Sequence, residues 1–159
     1  MTRYLRIYMD DQLALGVGWR ELARRAQVSN QGTELGDALA RVARGITEDV
    51  ATFQDIMRRL GMRPSRIKTS LAVAAERAGR LKPNGRVRSY SPLSRFEELD
   101  GLAMGLDAKR LLWANLRDLA GLGAGLPDVD FDELIRRAER QRDALMPFHA
   151  DAGRVLASR

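Results

Sequence analysis

The sequence predicts an all-α protein built as a four-helix bundle, in which two antiparallel helical hairpins are joined by a long crossover containing a short helix. Three observations predict this fold. Four segments carry apolar stripes at alternating spacings of three and four, which places the stripe on one side of a helix. Short loops lie within each half of the chain, and about 30 residues separate the halves. Each stripe is interrupted once, near its middle, by a polar residue.

The first hairpin is predicted to contain helices over about 4–30 and 33–61. Thr33 is an N-cap candidate because its hydroxyl can accept from the free amides of the following turn. Gly61 supplies a left-handed residue at the end of the second helix, and Pro64 prevents its continuation. The two stripes are Leu5, Tyr8, Gln12, Leu15, Trp19, Leu22 and Ala26, followed by Leu35, Leu39, Val42, Ile46, Asp49, Phe53, Ile56 and Leu60.

The second hairpin is predicted to contain helices over about 92–120 and 130–156. Ser91 and Pro92 have the pattern of an N-cap followed by proline at the first helical position. Asp130, with Glu133 three residues later, resembles a capping box. The two stripes are Leu99, Leu102, Leu106, Lys109, Trp113, Leu116 and Ala120, followed by Phe131, Leu134, Ala138, Gln141, Leu145, Phe148 and Ala152.

The connection between the hairpins predicts a crossover helix over about 65–80, and the whole chain, 1–159, is predicted to form one domain. With that helix and about ten extended residues, the connection is long enough to run the length of the bundle. The second and third helices would then be parallel. Counted from the loop centres, the four interrupting residues would lie in a single layer, which comprises Gln12, Asp49, Lys109 and Gln141.

The residue types of this polar layer favour a structural role over a catalytic one. We therefore predict no catalytic residue. Asp49 and Lys109 are expected to form a buried ion pair, and Gln12 and Gln141 to satisfy the remaining hydrogen bonds. Such a pair adds little net stability but can fix register and pairing. The alternative is a Lys109 with a lowered pKa that acts as a base or forms a Schiff base.

A two-hairpin bundle with a long crossover and a polar layer resembles the ferritin-like superfamily. That resemblance implies, in di-metal members, a Glu from each of two helices and a Glu-x-x-His pair from each of the others. The matching positions here are Gln12, Asp49, Lys109 and Gln141, and Glu-x-x-His does not occur. We therefore predict no metal and no cofactor.

Four acidic residues beside the stripes are expected on solvated flanks, paired with arginines: Glu48, Glu98, Glu139 and Asp143. The single histidine, His149, is expected near the end of the last helix.

Composition and charge set the remaining expectations. The chain has no cysteine, its first residues lack an export signal, and no apolar run is long enough to span a membrane, so a cytoplasmic location is expected. Between residues 58 and 95 there are 11 basic residues and one acidic residue. Phosphates of nucleic acid or an anionic surface could bind in this region. The candidate anion-binding residues are Arg66, Lys68, Lys82, Arg86 and Arg88.

Two further patterns bear on partners and origin. Glycines at 16, 18, 101 and 105 lie inside predicted helices, where glycine costs about 1 kcal/mol, so close helix packing or a homodimer contact is expected. Residues 91–113 resemble small uncharacterised proteins of high-GC actinobacteria, and this resemblance implies no chemistry. The sequence thus favours a non-catalytic interaction or structural protein, acting as a homodimer or with a protein partner. The alternatives are a divergent ferritin-like metal or redox protein, and an anion or nucleic-acid binder.

Overall fold

Four long α-helices make up most of the structure. A computed structural model describes residues 2–63, 90–119 and 121–157. The helices are α1 (Arg3–Ser29), α2 (Glu34–Arg59), α3 (Pro92–Asp118) and α4 (Phe131–Ala157), and a short 3-10 helix (Gly123–Gly125) precedes α4. The described residues contain no strand, so the predicted all-helical class is confirmed. The helix bounds differ from the predicted ones by at most two residues. The predicted crossover helix over 65–80 lies outside the described residues.

The helix ends have the capping interactions that the sequence predicts. The hydroxyl of Thr33 accepts from the amide of Gly36 at 3.1 Å, and the hydroxyl of Ser91 accepts from the amide of Ser94 at 3.0 Å. These bonds satisfy amide groups that have no partner within the first turn of a helix. Gly61 adopts a φ of 72°, a conformation that side-chain-bearing residues rarely adopt, and ends α2.

The helices pack around one hydrophobic core. α1 packs against α2 and α3, and α4 packs against α3 and α2, so each helix has two neighbours. The most extensive contacts are between α3 and α4 and between α1 and α2, the pairs that are consecutive in the chain. The core contains leucines from all four helices, together with Phe53 and Trp113, whose rings meet edge to face with centroids 5.8 Å apart.

The core face of α1 differs from the predicted one. Met9, Leu13 and Val17 are fully buried, whereas Leu15, which belongs to the predicted stripe, is 48% exposed. α1 carries two overlapping apolar stripes offset by about one residue, and the sequence gives no basis for choosing between them. The choice is made by the helices that pack against α1. Because Leu13 faces the core, its neighbour Gln12 lies at the edge of the core and is only half-buried.

None of the described helices combines the length and the apolar composition needed to cross a membrane.

Candidate functional site

A charged layer crosses the middle of the bundle and joins three helices. Asp49 of α2 is 3% exposed, and Lys109 of α3 is 9% exposed. The Lys109 ammonium donates hydrogen bonds to Oδ2 of Asp49 and to Oε1 of Gln141 on α4. Three of the four residues that interrupt the apolar stripes are therefore in contact. We refer to Asp49, Lys109, Gln141 and Arg137, described next, as the charged layer.

Arg137 of α4 is the member of the charged layer that the sequence prediction missed. Its guanidinium donates to Oδ1 of Asp49 and lies 3.5 Å from the Glu48 carboxylate. Arg137 precedes Gln141 by four residues, so the two share a face of α4. The spacing marks Arg137 as a neighbour of the predicted layer, but only the packing of α4 against α2 shows that its long side chain reaches Asp49.

Gly45 of α2 provides the space that Gln141 occupies. A Cβ atom placed on Gly45 would lie 2.0 Å from Nε2 of Gln141. The amide of Gln141 therefore lies directly against the α2 backbone, one turn before Asp49. Gly45 was not among the glycines singled out from the sequence, although a glycine inside an amphipathic helix, four residues from a buried carboxylate, is a signal of close approach.

Gln12 does not join the charged layer by a hydrogen bond. It lines a cavity beside Asp49 and Lys109, but the side-chain hydrogen bonds that Asp49 and Lys109 make within residues 2–63, 90–119 and 121–157 go to each other, to Gln141 and to Arg137. The expectation that Gln12 satisfies the ion pair is therefore not met in the described part of the chain. The reason is the rotation of α1, which directs Leu13 to the core in place of Gln12.

Burial dominates the electrostatics of Lys109. Removal from water lowers the pKa of Lys109 below its ordinary value, because the charged form loses hydration. The Asp49 carboxylate opposes this effect by attraction and hydrogen bonding, and the nearby Arg137 adds slightly to the lowering. The ammonium is thus held by a carboxylate that it shares with a second cation.

The carboxylate of the charged layer is paired with two cations, while Nε of Arg137 is buried without a hydrogen-bond partner in the described part of the chain. Both oxygens of Asp49 accept from cations, so this carboxylate is not available to a metal ion without displacing them. Within the described residues, no group of three or more His, Cys, Asp or Glu side chains is close enough to hold a metal. The arrangement therefore suits the cross-linking of α2, α3 and α4 better than coordination chemistry.

A cavity of about 40 Å³ lies between α1, α2 and α3, next to Asp49 and Lys109. Its walls are mainly apolar and include Trp19, Phe53 and Trp113. Trp19 lies flat against α3, where a Cβ on Gly105 would be 2.5 Å from its ring nitrogen. This contact shows that the glycine at 105 serves packing within the chain. Nothing lies within 4 Å of a Cβ placed on Gly18, so that glycine has no such role.

A second buried polar network connects the end of α1 to the start of α3. The Tyr90 hydroxyl donates to Glu98 at 2.8 Å and accepts from the amide of Asn30 at 3.0 Å, and Arg25 donates to Glu98 at 2.9 Å. Burial raises the pKa of Tyr90 to about 12; the Glu98 carboxylate adds to the rise and the Asn30 amide opposes it. Glu98 was expected to pair with an arginine, and Arg25 is that partner. The prediction that Glu98 lies on a solvated flank is wrong, because Glu98 is 9% exposed.

The remaining candidates do not assemble into a site in the described part of the chain. His149 stacks on Phe96 with ring centroids 4.9 Å apart and lies 3.2 Å from the Asp100 carboxylate. Glu48 and Asp143 are exposed and pair with arginines, as expected for helix flanks. Glu139 is also exposed. The predicted anion-binding residues lie outside the described residues: Arg66, Lys68, Lys82, Arg86 and Arg88.

Comparisons with protein-family models, with curated proteins and with solved structures found no match to this chain.

Proposed function

We propose that this chain is a non-catalytic helical-bundle protein that acts by associating with a second copy of itself. Its charged layer would hold the bundle in one arrangement, and the outer face of α3 would form the interface between copies. The cytoplasmic location and the actinobacterial resemblance remain predictions from the sequence. The proposal has three parts, which concern the topology, the charged layer and the interface.

The topology that we propose is ferritin-like, with two antiparallel hairpins joined by a crossover. Contacts between α1 and α3 support it: Asn30 contacts Tyr90, and the Asn115 amide lies 3.4 Å from the Tyr8 hydroxyl. The end of α1 is thus near the start of α3, and the start of α1 is near the end of α3. This pairing supports an antiparallel arrangement of the two helices.

Contacts between α2 and α4 support the same topology. Arg59, the last residue of α2, pairs with Asp128 just before α4 at 3.0 Å, and Asp49 pairs with Arg137. A position early in α4 therefore lies beside a late position in α2, as in an antiparallel pair. If α1 and α2 also form an antiparallel hairpin, α2 and α3 run parallel, which is the arrangement that a crossover connection produces.

We propose no reaction for this chain because the charged groups of the layer pair with one another. The Asp49 carboxylate is shared by Lys109 and Arg137, and the Lys109 ammonium also donates to Gln141. A lysine nucleophile or base needs an amine that a substrate can reach, whereas the Lys109 amine is buried and its hydrogen bonds go to Asp49 and Gln141. Paired charges in a helical core are known to specify register and pairing, and that is the role that we propose for them.

The observation that carries the self-association proposal is an apolar stripe on the solvent side of α3. Met104 is 65% exposed and Leu111 is 52% exposed, and they are seven residues apart, which is two helical turns. Leu93, at 38% exposed, lies on the same face. In an antiparallel contact between two copies of α3, Met104 of one copy would face Leu111 of the other. Such an interface is self-complementary, as a two-fold dimer requires.

The test is the mass of the protein in solution. We expect the wild-type chain of 17.8 kDa to sediment as a dimer at micromolar concentration and to dissociate on dilution. The variant Met104→Lys/Leu111→Lys should be a monomer with an unchanged helix content, because both side chains are outside the core. Val28→Lys is the matched control, since Val28 is 71% exposed and belongs to α1, not to the apolar stripe of α3. A wild-type protein that stays monomeric at every concentration, or a double variant that dimerises as the wild type does, would contradict the proposal.

A further inference from the structure

The cavity between α1, α2 and α3 presents mainly carbon atoms to a molecule inside it. Its polar lining residues are Gln12, Asp49 and Lys109, and the other lining residues are aromatic, aliphatic or glycine. Both oxygens of Asp49 accept from cations, and the Lys109 ammonium donates to Asp49 and Gln141. The indole nitrogen of Trp113 is buried, so this ring faces the cavity with its carbon atoms. The interior therefore offers few hydrogen-bond partners.

Water is a poor occupant of such a space. A buried water is usually held by about two to four polar partners, and cavities with apolar walls stay dry. The wall atoms of a dry cavity lack van der Waals neighbours, and an apolar molecule that fills the space supplies them. Transfer of that molecule from water is itself favourable, because its apolar surface leaves the solvent. An uncharged apolar ligand therefore fits this lining better than water or an ion.

The volume of the cavity limits the size of the ligand. The cavity measures about 40 Å³, and a water-sized group needs about 10–15 Å³ of such space, so about three or four heavy atoms fit. Each further carbon that fits should tighten binding about fourfold, because more apolar surface is removed from water. A hydrocarbon that fills the cavity is therefore favoured over a smaller molecule such as a diatomic gas.

The cavity borders the surface along α1. Three of its lining residues are half-buried, and all three belong to this helix: Gln12, Gly16 and Trp19. The lining residues of α2 and α3 are buried. α1 is therefore the side from which a small molecule can enter, and Gly16 has no side chain to cover that side.

We propose that this cavity is a binding site for a short hydrocarbon of three or four carbons, the class that includes propane and propene. The hydrocarbon lies against the rings of Trp19, Phe53 and Trp113, beside the charged layer. This site is separate from the proposed interface on the outer face of α3. Failure of either proposal therefore leaves the other standing.

The experiment follows the binding of propane by NMR, with the two tryptophans as reporters. The chain contains only Trp19 and Trp113, and both line the cavity, so their indole N–H resonances report its occupancy. We expect propane to shift both resonances saturably, with a dissociation constant on the order of millimolar given so few ligand atoms. Propane should also give nuclear Overhauser effects to the ring protons of Phe53. Shifts that are linear in propane concentration would overturn the proposal.

Three further ligands test the chemistry and the size of the site. Ethane should bind about fourfold more weakly than propane, because it buries less apolar surface. Ethanol, which matches propane in heavy-atom count, should bind at least about tenfold more weakly, because its hydroxyl would be buried without a partner. Cyclohexane exceeds the volume and should produce no saturable shift. Equal affinities for propane and ethanol, or tighter binding of cyclohexane than of propane, would contradict an apolar site of this size.

Two glycine variants on α1 locate the site. Gly16 lines the cavity, and its added methyl would lie 3.5 Å from Val50, an ordinary contact, so Gly16→Ala should fold. The methyl takes up cavity space and should weaken propane binding at least about fourfold. Gly18→Ala is the matched control, because Gly18 does not line the cavity and has open space around it, so its affinity should equal that of the wild type. Unchanged affinity in a folded Gly16→Ala variant, or equal weakening in both variants, would exclude this cavity as the site.

Discussion

Replacing Asp49 should cost much more stability than replacing Lys109, because the charged layer is asymmetric. In Asp49→Asn, Lys109 and Arg137 remain in a buried position with no carboxylate between them. Removing one partner of a buried ion pair typically costs about 3–5 kcal/mol. The Arg137 side chain is 28% exposed and can turn toward Glu48, so we expect the lower end of that range, about 3 kcal/mol.

In Lys109→Met, by contrast, Asp49 keeps Arg137 as its partner. The variant loses the hydrogen bonds to Asp49 and Gln141, but it also removes a buried ammonium whose desolvation is unfavourable. Methionine fills a similar volume without a charge. We expect a cost of about 1–2 kcal/mol, about one third to two thirds of the cost of Asp49→Asn.

The assay is urea unfolding followed by far-UV circular dichroism, which gives the free energy of unfolding for each variant. Asp151→Asn is the matched control, since Asp151 makes an exposed ion pair with Arg154, and such pairs contribute about 0–1 kcal/mol. If Lys109→Met were as destabilising as Asp49→Asn, the claim that Arg137 shares the carboxylate would be refuted. If Asp49→Asn and Lys109→Met each lowered the free energy of unfolding as little as Asp151→Asn does, the charged layer would not be buried.

Two further predictions follow from Gly45 and Tyr90. Gly45→Ala should lower the free energy of unfolding by about 1 kcal/mol, because the added methyl displaces the Gln141 amide. Gly18 has open space around it, so Gly18→Ala should raise the free energy of unfolding by about 0.5–1 kcal/mol in the same urea assay. If Gly45→Ala and Gly18→Ala raised the free energy of unfolding equally, Gln141 would not lie against α2. The raised pKa of Tyr90 contributes stability that is complete below pH 10 and is lost as the pH rises toward about 12. Tyr90→Phe should therefore flatten the decline in stability between pH 10 and 12, and an identical decline in both proteins would contradict the buried position of the hydroxyl.

The sequence predicts the helices well because their signals are local. The caps at Thr33 and Ser91 and the stop at Gly61 each depend on residues within one turn. The stripes of α2 and α4 are also unambiguous, since each of these helices has only one apolar face. Asp49 on α2 and Lys109 on α3 each stand out as a polar residue at a stripe position where an apolar one is expected, and the structure brings them into contact.

The features that the sequence does not reveal depend on which helices meet. α1 has two overlapping stripes, and only its neighbours decide that Leu13 faces the core and Gln12 does not. Arg137 reaches Asp49 across a helix interface from a position on the flank of its own stripe. The space at Gly45 becomes meaningful only when Gln141 is placed against it. Each of these is a tertiary effect, set by the relative positions of two helices.

The most direct test of the buried, paired layer is an NMR titration of the lysine side chains. The chain has three lysines, at 68, 82 and 109, so the Lys109 resonance can be assigned with the single variant Lys109→Met. We predict that Lys109 titrates below the ordinary value of 10.5, and lower still in Asp49→Asn, because the carboxylate raises its pKa against the effect of burial. A Lys109 that titrates at the ordinary value, and does so equally in Asp49→Asn, would contradict both the burial and the pairing.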